Sequence, residues 1–166
     1  LSQVPFQPWA RALFADRVQH RREPYTRCKP SGGARQVATA YGTQLLEVPE
    51  LRRLYILETG GAHSFRTIYM DGRSHPTSED VNPTYYGHSV GHWENETLII
   101  DTVGFNERFW MSGRPLGMVH TDQLHMIERI SRPDFNTLRY EATIDDPRAY
   151  TRPWTAQAFN IPWTPL

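Results

Sequence analysis

Residues 86–105, YGHSVGHWENETLIIDTVGF, constrain the fold of this chain more than any other stretch. They read as two strands joined by a tight turn at Asn95-Glu96. The first strand carries small residues and Trp93, and the second carries a β-branched run around Asp101. A glycine in a strand marks a bend or a close approach of backbones, and a neighbouring tryptophan usually fills a core. The stretch therefore predicts a β-hairpin.

The same strand-turn-strand pattern repeats along the chain at short spacing. Strands are predicted at residues 39–48, 53–59, 64–71, 88–94, 97–105, 124–131, 137–144 and 155–161. Sequential strands with hairpin-length connections are typical of an antiparallel meander, and about eight of them can close into a lipocalin-like barrel. We therefore predict an all-β antiparallel barrel, with a two-sheet sandwich as the alternative.

The N-terminal part of the chain differs from this pattern. Pro8–His20 has apolar residues at helical spacing and a proline at its first turn, which predicts a short amphipathic helix. Prolines and glycines then mark a loop. We expect residues 1–36 to form this helix and loop, within a single domain of residues 1–166.

The amino-acid composition of the chain disfavours several classes of function. The chain has 18 Lys+Arg against 18 Asp+Glu, and this balance disfavours a nucleic-acid binder or a membrane-surface protein. No apolar run reaches the roughly 20 residues of a membrane span, and no signal peptide is visible. The single Cys28 excludes an internal disulfide framework.

One connection, residues 106–121, is long for a hairpin and carries large apolar side chains. They are Phe109, Trp110, Met111, Leu116 and Met118, with Gly113, Pro115 and Gly117 as bend points. Loops of this length are usually functional or disordered, and these residues are poor choices for a solvated loop. We predict a lid across the barrel mouth or a homodimer contact, with Trp110 shielded from water.

Longer motifs carry a resemblance to a family. The string GHSVGHWENETLIIDTVGF, preceded by RTIYMDGRSHP and followed by HTDQLHMIERI and TIDDPRAYTRPW, resembles a family of small, often secreted bacterial proteins. The similarity covers most of the chain, from about Cys28 to Trp154. The resemblance implies a shared fold and favours a periplasmic or secreted location. It assigns no reaction, substrate, cofactor or residue role.

The densest group of candidate catalytic residues is His120, Asp122 and His125. Imidazole titrates near neutral pH and a carboxylate can orient it, which is the minimum set for moving a proton. In an extended chain His120 and Asp122 would project to one side and His125 to the other. Asp122 could instead cap a turn, with the histidines at the surface. His88 is a further candidate, because the fold could bring it to the same site.

Arg66 and Glu128 are polar residues among apolar strand neighbours. Buried without a partner, Arg66 would be very costly, so it is either a pocket anchor or one member of an ion pair with Glu58 or Asp101. Glu128 is either a buried general acid or base with a raised pKa or a structural ion-pair partner.

These observations lead to one main hypothesis and two alternatives. We predict a cofactor-independent acid–base enzyme, a lyase, isomerase or hydrolase, that acts on a small apolar or aromatic molecule in a barrel cavity. The predicted catalytic residues are His120, Asp122, His88 and Glu128, and the predicted substrate-binding residues are Arg66, Tyr69, Phe109, Trp110, Met118 and His125. The alternatives are a non-catalytic carrier of a hydrophobic ligand and a histidine-rich metal-dependent enzyme. No tightly bound metal is expected, because the histidine spacing matches no strong pattern.

Overall fold

A computed structural model describes residues 3–39, 41–77, 79–111 and 117–164. Within these residues nine strands form one curled sheet, a half-barrel, and one α-helix precedes it. The helix is α1 (Pro8–His20), and the strands are β1 (Thr43–Val48), β2 (Arg53–Glu58), β3 (Phe65–Tyr69), β4 (His88–Glu94), β5 (Thr97–Val103), β6 (His125–Asp134), β7 (Thr137–Asp145), β8 (Trp154–Thr155) and β9 (Phe159–Pro162). The predicted all-β, barrel-like class with one N-terminal helix is confirmed.

The strands follow one another across the sheet from β1 to β8, and β9 also pairs with β7. The structure departs from an antiparallel meander at one pair, because β3 and β4 are parallel, with Ile68 opposite Ser89. A parallel pair cannot be joined by a tight turn, so the chain returns through the long segment 70–87. The single strand predicted at 155–161 is divided between β8 and β9.

The β4–β5 hairpin has the predicted turn, but Trp93, which was expected to fill a core, is 60% exposed. Glu94 lies opposite Thr97, which leaves Asn95 and Glu96 as a two-residue turn. Asn95 has φ 53°, in the left-handed region that asparagine tolerates better than most residues.

One face of the sheet, here called the core face, is apolar and buried. It carries Ile56, Ile68, Ile100, Met126 and Ile144, each with at most 2% of its surface exposed. In β7 side-chain burial alternates along the strand, since the residues at 140, 142 and 144 are buried and those between them are not. The opposite face, here called the outer face, is half-exposed over most of its length.

Helix α1 has the predicted bounds but only weak amphipathic character. Ala10 is its single buried residue, and Trp9 remains 46% exposed. The helix is attached at its N-terminal end, where Trp9 Nε1 donates to the Arg148 carbonyl at 2.9 Å and the preceding Phe6 packs on Tyr150.

Gly32 and Gly72 offer a matched test of packing around the loop after α1. Both have φ above 70°, but a Cβ at Gly32 would lie 2.3 Å from the Phe109 ring, whereas a Cβ at Gly72 would meet nothing within 4 Å. Gly72→Ala should lower the free energy of unfolding by about 1 kcal/mol through backbone strain alone. Gly32→Ala should cost at least about 2 kcal/mol more, because Phe109 must also move. Urea unfolding of both variants checks this, and equal losses would contradict the packing.

Candidate functional site

Four polar side chains meet on the outer face, and we call them the histidine cluster: His75, His88, Asp101 and His125. His88, Asp101 and His125 come from the neighbouring strands β4, β5 and β6. Asp101 is opposite Val90 on one side and Ile127 on the other, so strand register places all three side chains on one face. His75 comes from the segment that connects β3 to β4.

The cluster is a continuous chain of hydrogen bonds. Oδ1 of Asp101 lies 3.0 Å from Nε2 of His75 and 2.8 Å from Nε2 of His125. Nδ1 of His75 lies 2.9 Å from Nδ1 of His88. The same oxygen of Asp101 therefore accepts hydrogen bonds from the imidazoles of His75 and His125. The His75 imidazole is in turn hydrogen-bonded to that of His88.

The chemistry of the partners sets the tautomers. An ionised carboxylate only accepts hydrogen bonds, so Nε2 of both His75 and His125 carries a proton. In neutral His75 the other nitrogen, Nδ1, is then an acceptor, and His88 must donate its Nδ1–H to it. Nε2 of His88 then carries a lone pair that no residue in the described part of the chain hydrogen-bonds, and this nitrogen is the basic atom of the cluster.

His88 is in a setting that keeps it neutral. Partial burial lowers the pKa of His88 below 6.5, and the nearby His75 and Arg73 lower it further, against a smaller opposing effect of Asp71. Its ring stacks on Tyr69 with ring centres 5.1 Å apart. A neutral, oriented imidazole can take up a proton near pH 7.

The other polar group lies on the core face and links Arg66 to Glu128. Arg66 Nη2 donates to Glu128 Oε2 at 2.5 Å and to Thr102 Oγ1 at 2.6 Å, and its Nε donates to Ser89 Oγ at 2.8 Å. The Tyr140 hydroxyl donates to the other oxygen of Glu128 at 2.7 Å, and burial raises the pKa of this phenol, so it stays protonated. Both members of the ion pair are buried.

The ion-pair alternative predicted for both residues therefore describes their observed geometry. The partner of Arg66 is Glu128, and the expected partners Glu58 and Asp101 were wrong. Asp101 lies on the outer face with the histidines, and Glu58 instead accepts from the Tyr86 hydroxyl at 2.8 Å.

His120 and Asp122 are not brought together. His120 is buried, donates through Nε2 to the Asn106 carbonyl at 3.0 Å and packs on Phe109. Asp122 is exposed and accepts from Arg148 Nη1 at 3.0 Å. The chain turns between them instead of running extended, because the Thr121 N–H and hydroxyl both donate to Asp146, and the expectation of a shared side was wrong for this reason.

The described part of the 106–121 segment packs into the core. Phe109, Trp110 and Met118 are all buried, Trp110 with 7% of its surface exposed, which confirms the predicted shielding of Trp110. Arg17 of α1 lies over the Trp110 ring at 5.1 Å and donates to the Met118 carbonyl. The predicted bend and apolar positions Gly113, Pro115 and Leu116 lie outside the described residues, and a ligand-binding role for this segment stays a prediction.

A small cleft borders this segment. It has a volume of about 200 Å³ and is lined by Asp16, Arg17, His20, Arg22 and Trp110.

The sequence predicted two members of the histidine cluster. His88 and His125 were both predicted as site residues, but a hydrogen-bonded cluster of these two with His75 and Asp101 was not predicted. The sequence signal for this cluster was the long connection 73–85, which contains a histidine and follows the strand that carries Tyr69. Nothing in strand periodicity says over which face such a connection will cross.

No family model, curated protein or solved structure matches the chain. The resemblance to a family of secreted bacterial proteins therefore stays a prediction.

Two further findings concern metals and membranes. Among residues 3–39, 41–77, 79–111 and 117–164, no group of three or more His, Cys, Asp or Glu side chains has a geometry that could hold a metal ion. The helix in this part of the chain is too short and too polar to cross a bilayer.

Burial of His120 should make stability depend on pH. Burial lowers the pKa of His120 to about 4, whereas an unfolded histidine titrates near 6.5. Between these values the unfolded chain binds more protons, so the free energy of unfolding rises with pH through this window. We expect His120 to contribute a loss of about 3 kcal/mol as the pH falls from 6.5 to 4.

Urea unfolding at several pH values measures this loss, and His120→Gln should flatten the curve in the same window. His92→Gln is the control, because His92 is exposed and its side chain is hydrogen-bonded to the exposed Glu94. If the His120 and His92 variants have the same pH dependence, His120 is not the group responsible.

The Arg66–Glu128 pair supports a second stability prediction. Arg66→Met should lower the free energy of unfolding by about 3–5 kcal/mol, because it leaves a buried carboxylate without its cation. Adding Glu128→Met should recover at least half of this loss, since no uncompensated charge then remains. Urea unfolding of the single and double variants checks the recovery, and a double variant as unstable as the sum of both single changes would contradict it.

Proposed function

We propose that this protein is a cofactor-independent acid–base enzyme and that the histidine cluster is its active site. The observation that carries the proposal is the hydrogen-bonded series from Asp101 through His75 to His88, which ends in an imidazole nitrogen that accepts no hydrogen bond from the described residues. A carboxylate that orients an imidazole is the arrangement used for general base catalysis.

In this proposal His88 Nε2 takes a proton from the substrate or from a water molecule. The positive charge formed on His88 is stabilised through its Nδ1–H bond to His75, whose own Nε2–H is held by Asp101. His125 donates to the same oxygen of Asp101 and keeps the carboxylate in place. The protonated His88 then returns its proton as a general acid, as a lyase, isomerase or hydrolase requires.

The reaction class is the one expected from the sequence, but the proposed site lies on the outer face of the sheet and not in a barrel cavity. The core face is filled by its own buried side chains, and its Arg66–Glu128 pair is closed to solvent. The outer face instead leaves Asp101 and His125 about one third exposed, so a small molecule can reach the cluster. Proton transfer by such a group contributes about 10²–10⁴-fold to a rate.

The test compares two histidines on the same face of β4. His88→Gln should abolish proton-transfer turnover against a panel of activated esters, lactones and enolisable ketones, because the basic nitrogen is lost. His92→Gln, four residues along the strand, should leave turnover unchanged, since among the described residues the His92 side chain is hydrogen-bonded to Glu94 and not to the cluster. Thermal melting should be nearly the same for both variants.

Tautomers give an independent check that needs no substrate. Long-range ¹⁵N–¹H NMR of the imidazoles should show a protonated Nδ1 in His88 and a protonated Nε2 in His75 and His125. Equal turnover in the His88 and His92 variants, or a protonated Nε2 in neutral His88, would rule out His88 as the base.

A further inference from the structure

Two arginines and a tyrosine lie beside the histidine cluster, and we call them the arginine–tyrosine patch: Arg53, Tyr69 and Arg73. Arg53 is opposite Tyr69 in the pairing of β2 with β3. The guanidinium carbons of Arg53 and Arg73 lie 5.3 and 3.9 Å from the centre of the Tyr69 ring. Since that ring also stacks on His88, both cations are one aromatic ring away from the proposed base.

The charges of the patch do not balance. Arg73 is paired with Asp71, with Nη2 and Oδ2 2.6 Å apart. Arg53 forms no ion pair with any residue in the described part of the chain, and its buried Nε has no hydrogen-bond partner there. Asp101 lies outside the patch, where its Oδ1 accepts hydrogen bonds from N–H groups of His75 and His125. Within the patch and its ion-pair partner Asp71, two guanidinium groups and one carboxylate therefore leave one positive charge.

We infer that the arginine–tyrosine patch binds the carboxylate of a small monoanionic substrate and so presents its reacting end to His88. This inference rests on the proposed function, whose substrate class it names. A planar guanidinium matches a carboxylate through two parallel hydrogen bonds, and Tyr69 holds both arginines against its ring. One carboxylate group neutralises the single positive charge that Asp71 leaves uncompensated in the patch.

The same charges argue against a phosphate group. Asp71 stays ionised, because its hydrogen bonds to Arg73 hold the pKa of its carboxyl at about 2. A phosphate dianion would bring a second negative charge next to Asp71 without a matching cation. The patch is therefore expected to prefer carboxylate to phosphate.

The experiment follows the imidazole of His88 by NMR while sodium acetate is added at constant ionic strength. Bound acetate should raise the pKa of His88 in a saturable manner, because an anion nearby stabilises the imidazolium. Sodium chloride and neutral acetamide should not do so, and the His92 imidazole should not respond to acetate. Inorganic phosphate, added separately, should bind more weakly than acetate.

Three variants test the residues. Arg53→Gln should raise the dissociation constant for acetate about threefold to fivefold, the size of one exposed charge pair. Asp71→Asn should lower it, because Arg73 loses its competing carboxylate. Arg129→Gln is the matched control: this exposed arginine is paired with Glu94 at the far end of β4, and its loss should leave acetate binding unchanged.

These experiments distinguish a failure of carboxylate binding by the patch from a failure of acid–base catalysis by the histidine cluster. A response to acetate no larger than that to chloride, equal effects of the Arg53 and Arg129 variants, or tighter binding of phosphate would each overturn the inference. Each of these results leaves intact the tautomer of His88 and the loss of turnover in His88→Gln. If acetate binds as expected while His88→Gln retains full turnover, the patch stands as an anion site and the acid–base proposal fails.

Discussion

The curled sheet depends on one buried interaction, the ion pair between Arg66 and Glu128. Arg66 is on β3 and Glu128 on β6, and in a flat sheet these strands would be about 14 Å apart. Direct contact requires the intervening strands to curve, and these strands supply Ser89 and Thr102 as further partners of the guanidinium. With Tyr140 on β7, one polar network joins five strands on the core face. Because neither charge can remain buried alone, the network strongly favours the curved arrangement.

The parallel pairing of β3 with β4 has a different consequence. It forces the chain to leave the sheet after Tyr69 and to return only at His88. The connecting segment brings His75 over the outer face, between a histidine of β4 and the carboxylate of β5. The proposed active site is thus built by the connection between the two parallel strands, whereas the core face carries the stability of the sheet.

The two faces also explain why similar residues have different roles. His120 is close to Asp122 in sequence, and His88 is linked to Asp101 through His75. His120, however, packs on Phe109 and donates its N–H to a backbone carbonyl. Its charged form would be buried, so burial holds its pKa near 4 and it stays neutral over the physiological range. His88 is only partly buried and keeps a free nitrogen, which is what proton transfer needs.

Local patterns were sufficient to predict most of the secondary structure. The helix Pro8–His20, the strand His88–Glu94 and the turn at Asn95-Glu96 were predicted with their observed bounds, because proline, glycine and side-chain alternation act over a few residues. The pairing of Arg66 with Glu128 and the meeting of His75 with Asp101 could not be predicted in this way. Each joins residues from separate strands or loops, and only the curvature of the sheet and the face chosen by a long connection decide such contacts. The sequence alone thus determined the strands and their order along the chain, and the tertiary structure decided which polar side chains meet.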